Sequence, residues 1–118
     1  MKKRLGCYLR LERLKSGLTE SELANLTGRA SGSIISRLEA QQRQPSLAEC
    51  FGFEVLFGRS AKELFPTLFD TVEEEVMRRA YELYERLQGD PSKTVRDKLA
   101  TFEGAFQRWK TRSNANEV

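Results

Sequence analysis

Residues 18–46 read LTESELANLTGRASGSIISRLEAQQRQPS, and the order of caps, apolar positions and breakers in this stretch decides the fold. Thr19 and Glu22 have the spacing of a capping box, in which the hydroxyl accepts the amide of the third helical residue and the carboxylate accepts the cap's own amide. Leu23, Ala24 and Leu26 then supply a short apolar helical face. Gly28 ends it, because glycine enters the left-handed conformation without a Cβ penalty. Ser31 or Ser33 can cap a second short helix carrying Ile34, Ile35 and Leu38. Gln41, Gln42, Arg43 and Gln44 form a polar connector to Pro45, and Ser46 with Glu49 opens the next helix. The pattern predicts helices over about 20–27 and 32–40 around a tight turn.

Upstream, residues 3–16 are predicted as a helix ended by Gly17. Leu5, Leu9 and Leu14, with Tyr8 or Leu11, make its stripe. Arg13 falls among the core-facing positions, and a buried arginine needs an acidic partner. Lys2, Lys3, Arg4 and Arg10 are either phosphate contacts or a solvated basic terminus. Downstream, a fourth helix over about 47–57 offers Leu47, Cys50, Phe51, Val55 and Leu56 as core. Phe53 and Phe57 make it unusually aromatic, and at least one is expected to face another subunit or the C-terminal segment. Ser60 and Glu63 box a short fifth helix that ends near Phe65, since Pro66 disfavours helix in the residue before it. Short helices with short connections make residues 1–66 an all-α domain containing a helix-turn-helix.

Residues 67–118 read as a separate helical hairpin. Thr71 and Glu74 are expected to cap a helix over about 72–88, with Val72, Val76, Ala80, Leu83 and Leu87 on one face beside Tyr84. Gly89, Asp90 and Pro91 break it, and Asp90 or Ser92 caps the next helix. In the last helix, over about 92–110, Val95, Leu99, Phe102, Phe106 and Trp109 recur at spacings of four and three. A two-helix hairpin buries too little to stand alone. This stripe is therefore expected to meet the same hairpin of a second subunit or a protein partner; the alternative is that it enlarges its own domain.

Charge follows the same division. Residues 1–66 hold 11 Lys/Arg against 7 Asp/Glu, and residues 67–118 hold 9 against 10. The excess positive charge lies with the helix pair, which suits a polyanionic partner. There is no run of 18 apolar residues, and no apolar stretch follows the basic start, so a cytoplasmic, non-membrane protein is expected. Cys7 and Cys50 read better as free thiols than as a disulfide. With no histidine and only two cysteines, an ordinary structural zinc site cannot be completed, and a histidine base is excluded, so neither metal, cofactor nor catalysis is expected.

The segment from about Leu9 to Phe65 resembles the Cro/repressor-type helix-turn-helix family, the xenobiotic-response-element class of bacterial and phage regulators. The resemblance rests on Leu23-Ala24, Ile35-Ser36-Arg37-Leu38-Glu39, Pro45-Ser46 and Leu64-Phe65. It implies a five-helix, lambda-repressor-like DNA-binding domain, usually a symmetric dimer, whose third helix enters the major groove. Ser31, Gly32, Ser33, Ile34, Ser36 and Arg37 would then lie near the groove, with Ile35 and Leu38 in the core. Arg37 can read guanine or take a phosphate. Ile34 can pack on a thymine methyl or in the core, and Gly32 lets the backbone approach closely. Arg43 and Arg29 would sit over phosphates, and the helix start at Thr19 would offer amides to another. The resemblance also implies an Arg13–Glu39 pair. Glu20 stands where the family most often has a DNA-contacting glutamine, and the interval from Gly28 to Ser36 is one residue longer than usual. Ala40 stands where glycine is common.

These readings converge on a sequence-specific binder of double-stranded DNA, a homodimeric transcriptional repressor at a palindromic operator. The alternative is a protein-interaction adaptor that keeps the fold without binding DNA.

Overall fold

The computed structural model describes residues 4–116. Among them are seven helices and no strand: α1 (Leu9–Lys15), α2 (Glu20–Leu26), α3 (Gly32–Glu39), α4 (Leu47–Phe57), α5 (Ala61–Leu64), α6 (Pro66–Leu87) and α7 (Lys93–Asn116). The chain divides into two compact units between Thr71 and Val72, inside α6. Lys2 and Lys3 lie outside the described residues.

Local chemistry sets most of the boundaries. Full capping boxes start α2 at Thr19–Glu22, α4 at Ser46–Glu49 and α5 at Ser60–Glu63. Ser31 caps α3, its hydroxyl accepting the Ser33 amide. At the end of α2, Gly28 is left-handed, and the Gly28 and Arg29 amides donate back to Asn25 and Ala24 carbonyls. That is a Schellman motif, which satisfies carbonyls the helix leaves open. The same pair of bonds closes α3, but there the left-handed residue is Gln41 rather than glycine.

The first helix is shorter than expected. The Tyr8 amide donates to the Leu64 carbonyl at 2.8 Å, so the preceding residues run against α5 instead of coiling. Leu5 lies outside the helix and is exposed, Leu11 and Leu14 fall on the outer face of α1, and Leu9 alone of that stripe is fully buried.

The core of residues 4–71 joins Leu9, Leu23, Ala24, Ile35, Leu38, Phe53, Leu64 and Phe65. Phe53 is wholly buried, with its ring 6.3 Å from that of Phe65, and Phe57 packs on the same cluster. The expectation that Phe53 or Phe57 faces outward is therefore corrected. The outer face of α4 is instead Leu47, Phe51 and Val55, the last 85% exposed. Apolar residues fall on every side of α4 and its two carboxylates split, Glu54 outward and Glu49 inward, so periodicity could not pick its inner face. Leu26, expected in the core, is also exposed.

Gly32 opens α3 directly over the first turn of α2. A Cβ there would stand 3.0 Å from the Ser21 amide nitrogen and 3.2 Å from the Glu20 carbonyl carbon. Gly32→Ala should force the two helices apart and lower stability by about 1–2 kcal/mol. Thermal unfolding should show a loss of several degrees in midpoint, and an unchanged midpoint would contradict this packing.

Pro66 begins a helix rather than closing the domain. Its missing amide costs nothing at a first helical position. The opening turns of α6 stay with the first unit: Leu68 packs on its core, and Asp70 pairs with Arg4 at 3.1 Å. Thr71 does not cap; its hydroxyl donates to the Thr67 carbonyl inside the helix.

Within residues 72–118, the half-buried face of α6 is Glu73, Met77, Ala80, Leu83, Tyr84 and Leu87, and Val72 and Val76 are exposed. Ser92 caps α7 by accepting the Val95 amide. The two helices run antiparallel. Tyr81 stacks on Phe106 at 4.0 Å, Tyr84 bonds Glu103 at 3.0 Å, and Glu73 pairs with Arg112. Val95 is buried, and Phe106 lies between the two tyrosines. Val95 is thus spent within the chain, whereas Leu99, Phe102, Phe106 and Trp109 are half-buried.

Candidate nucleic-acid interface

Helix α3 presents a narrow polar stripe. Ile35 and Leu38 point into the core, so Ser33, Ser36, Arg37 and Ala40 fall on the opposite face at spacings of three and four. All four are exposed. Among the described residues no carboxylate pairs with Arg37. It keeps five N–H donors on a long stem, enough for a bidentate contact. Ser31 joins the stripe at the helix start, its hydroxyl 3.0 Å from that of Ser33.

Two residues expected beside them have other duties. Ile34 packs against the core cluster, half-buried. Gly32 is required by the close approach of α3 to α2.

The position of α3 is held from behind by Arg13, which is 6% exposed. Its Nε donates to Glu39 Oε2 at 2.6 Å and its Nη2 to Glu39 Oε1 at 3.1 Å. Nη1 donates to the Leu18 carbonyl at 3.0 Å. One guanidinium thus ties α1, the Gly17–Leu18 turn and the end of α3. The hydrogen bonds to Glu39 hold Arg13 above its ordinary pKa against the opposing effect of burial. Glu20, half-exposed at the start of α2, comes within 4.0 Å of Arg13. That contact draws the carboxylate toward a cation. Thr19 is engaged in its cap, accepting the Glu22 amide at 3.0 Å.

Arg29 and Arg43 follow α2 and α3 respectively, yet they meet on one residue. Arg29 Nε donates to Glu49 Oε2 at 2.9 Å, and Arg43 Nη1 donates to the same oxygen at 3.1 Å. Glu49 Oε1 accepts the Ser46 amide at 2.7 Å, and Arg29 Nη2 reaches the Ser46 hydroxyl at 3.3 Å. Burial favours the neutral acid, but the Ser46 amide and the Arg43 guanidinium together outweigh it and keep Glu49 below the usual carboxylate range. From the sequence, Glu49 reads only as a capping residue. The signal available was the pair of arginines on either side of α3, but nothing in the spacing brings them together.

Cys7 and Cys50 are free thiols, half-buried. Burial raises both pKa values, with Glu39 adding to the effect at Cys7 and Glu49 at Cys50. Both stay protonated at neutral pH, which makes them poor nucleophiles. Among the described residues no group of three or more His, Cys, Asp or Glu could hold a metal ion, and no helix is long and apolar enough to cross a membrane.

Compared with known proteins, the chain has no significant match to any family model, curated protein sequence or solved structure.

Proposed function

We propose that the chain is a Cro/repressor-type regulator of transcription with a lambda-repressor-like N-terminal domain, binding duplex DNA in a sequence-specific manner. In this reading α2 and α3 form the helix-turn-helix and α3 enters the major groove. The observation that carries it is the exposed Ser33, Ser36 and Arg37 stripe on a short helix held by a buried arginine–glutamate pair. Serine hydroxyls can bond to bases or phosphates, and Arg37 can fork onto guanine O6 and N7. Arg29 and Arg43 supply backbone contacts, which give affinity and register but little sequence information. Two acidic residues near this region are engaged, Glu39 with Arg13 and Glu49 with both flanking arginines, while Glu20, 40% exposed, reaches Arg13 only at 4.0 Å.

The protein acts as a homodimer on a palindromic site. Apolar surface for a second copy exists at Leu47, Phe51 and Val55 of α4 and at Leu99, Phe102 and Trp109 of α7. A single-chain mass in solution under DNA-binding conditions would remove the dimeric part of the reading.

The experiment is selection of bound sequences from genomic duplex DNA, followed by binding at increasing salt. Affinity should fall steeply, in proportion to the phosphates contacted. Arg37→Ala should cost about 1–3 kcal/mol on the selected site and little on unrelated DNA. Arg43→Ala should weaken all sequences alike. If neither substitution changes binding, the reading surface is wrong.

The exposed Leu47, Phe51 and Val55 also favour a second reading, a protein-interaction adaptor with this fold. It is preferred if the full chain binds no duplex at low salt.

A further inference from the structure

Three helices of this chain start with the same capping box, and one of the three differs. The closing glutamates of α2 and α5, Glu22 and Glu63, are exposed, as is usual for a residue in the first turn. Glu49 of α4 is 1% exposed. A capping carboxylate needs no burial to do its work, and burying a charge is costly unless it is paired. Here it is paired twice, by arginines from the two ends of α3.

The stoichiometry is unbalanced in an informative way. Two guanidinium groups meet one carboxylate, so the cluster keeps one net positive charge. Glu49 and Ser46 account for two donors of Arg29 and one of Arg43. Each arginine has five, and each side chain remains about one-third exposed, at 32%. The cluster is therefore fixed from within and keeps donors for an outside acceptor.

We infer that Glu49 is a positioning residue that holds Arg29 and Arg43 in fixed orientation for successive DNA phosphates. This rests on the DNA-binding reading above. Arginine loses much rotamer freedom when it docks on a phosphate. Glu49 imposes that loss during folding, so binding does not have to. It also ties the turn before α3, the connector after it and the start of α4 to one atom.

The inference separates cleanly from simple electrostatics. Deleting a negative charge beside a polyanion should strengthen binding. Deleting a residue that orients the two phosphate contacts should weaken it. Glu49→Gln keeps the shape and one acceptor oxygen while removing the charge.

In the full chain, well below its unfolding midpoint and with helix content checked by circular dichroism, Glu49→Gln should bind the selected duplex about tenfold more weakly. The slope of log affinity against log salt should shrink by about one, as one phosphate contact loses occupancy. A merely structural role would not move that slope. In an Arg29→Lys, Arg43→Lys background, where both charges remain but neither side chain can fork, Glu49→Gln should cause no further loss. The double lysine variant should itself bind every duplex about tenfold more weakly than the wild type. It also serves as the test if Glu49→Gln fails to fold, and wild-type affinity in it overturns the inference. Equal or tighter binding by folded Glu49→Gln overturns the inference alone. Absence of duplex binding by the wild-type chain overturns this inference and the DNA-binding reading together.

Discussion

Glu39→Ala should destabilise the N-terminal unit by about 3–5 kcal/mol, the range for breaking a buried ion pair from one side. The reason is what remains. Arg13 is 6% exposed and cannot lose its proton. Without Glu39 it keeps the Leu18 carbonyl at 3.0 Å and the distant Glu20 carboxylate at 4.0 Å. Two charge-assisted bonds, at 2.6 and 3.1 Å, are lost with nothing to replace them. Small domains hold only about 5–15 kcal/mol in total, so the variant should be partly unfolded at physiological temperature. Urea denaturation of wild type and variant gives the difference. Arg13→Met combined with Glu39→Leu should restore most of the loss, since it removes both charges and keeps apolar volume. A loss below about 1 kcal/mol in the single variant would mean that Arg13 is not buried as described. The pair also fixes the end of α3. On the proposed DNA-binding reading, duplex binding by Glu39→Ala should therefore fall along with stability, and recover in the double variant if the fold returns.

Phe53→Ala should cost about 3–5 kcal/mol, as expected for deleting a fully buried phenyl ring and leaving a cavity. Phe51→Ala, two residues away on the same helix, should change the stability of the single chain, with α4 uncovered, by no more than about 0.5 kcal/mol, the usual limit for surface substitutions. Phe53 is 0% exposed and packs against Phe65, whereas Phe51 is 60% exposed. The two variants together test which face of α4 is inward. Similar losses in both would show that the outer face of α4 is covered in solution. That outcome would point to the second copy of the chain on Leu47, Phe51 and Val55.

Much of the element order was legible in the sequence, because the signals are local. A capping box is written in residues three apart, so Thr19–Glu22, Ser46–Glu49 and Ser60–Glu63 each announced a helix start. Gly17, Gly28 and Gly58 marked ends because a left-handed residue without a Cβ carries no steric cost. The same logic misled at Thr71–Glu74. Those residues have the right spacing, but Pro66 had already started the helix five residues earlier. At α3 the left-handed residue is Gln41, so no glycine announced it.

Within the candidate site, the sequence by itself determined the need of Arg13 for an acidic partner; the outward stripe of α3 came only as an implication of the family resemblance. Ile35 and Leu38 lie three apart on the inner face, and Ser33, Ser36 and Arg37 lie on the opposite one. Tertiary structure alone decided the rest. The inner face of α4 depends on which side meets Phe65 and Leu64; its apolar residues fall on every side, and its carboxylates point both ways, Glu54 outward and Glu49 inward. The role of Gly32 depends on how closely α2 passes beneath it. The burial of Glu49 depends on Arg29 and Arg43, 20 and 6 residues away in the chain, converging on one oxygen. Periodicity reports what a helix can bury; only the packing of distant segments determines what it does bury.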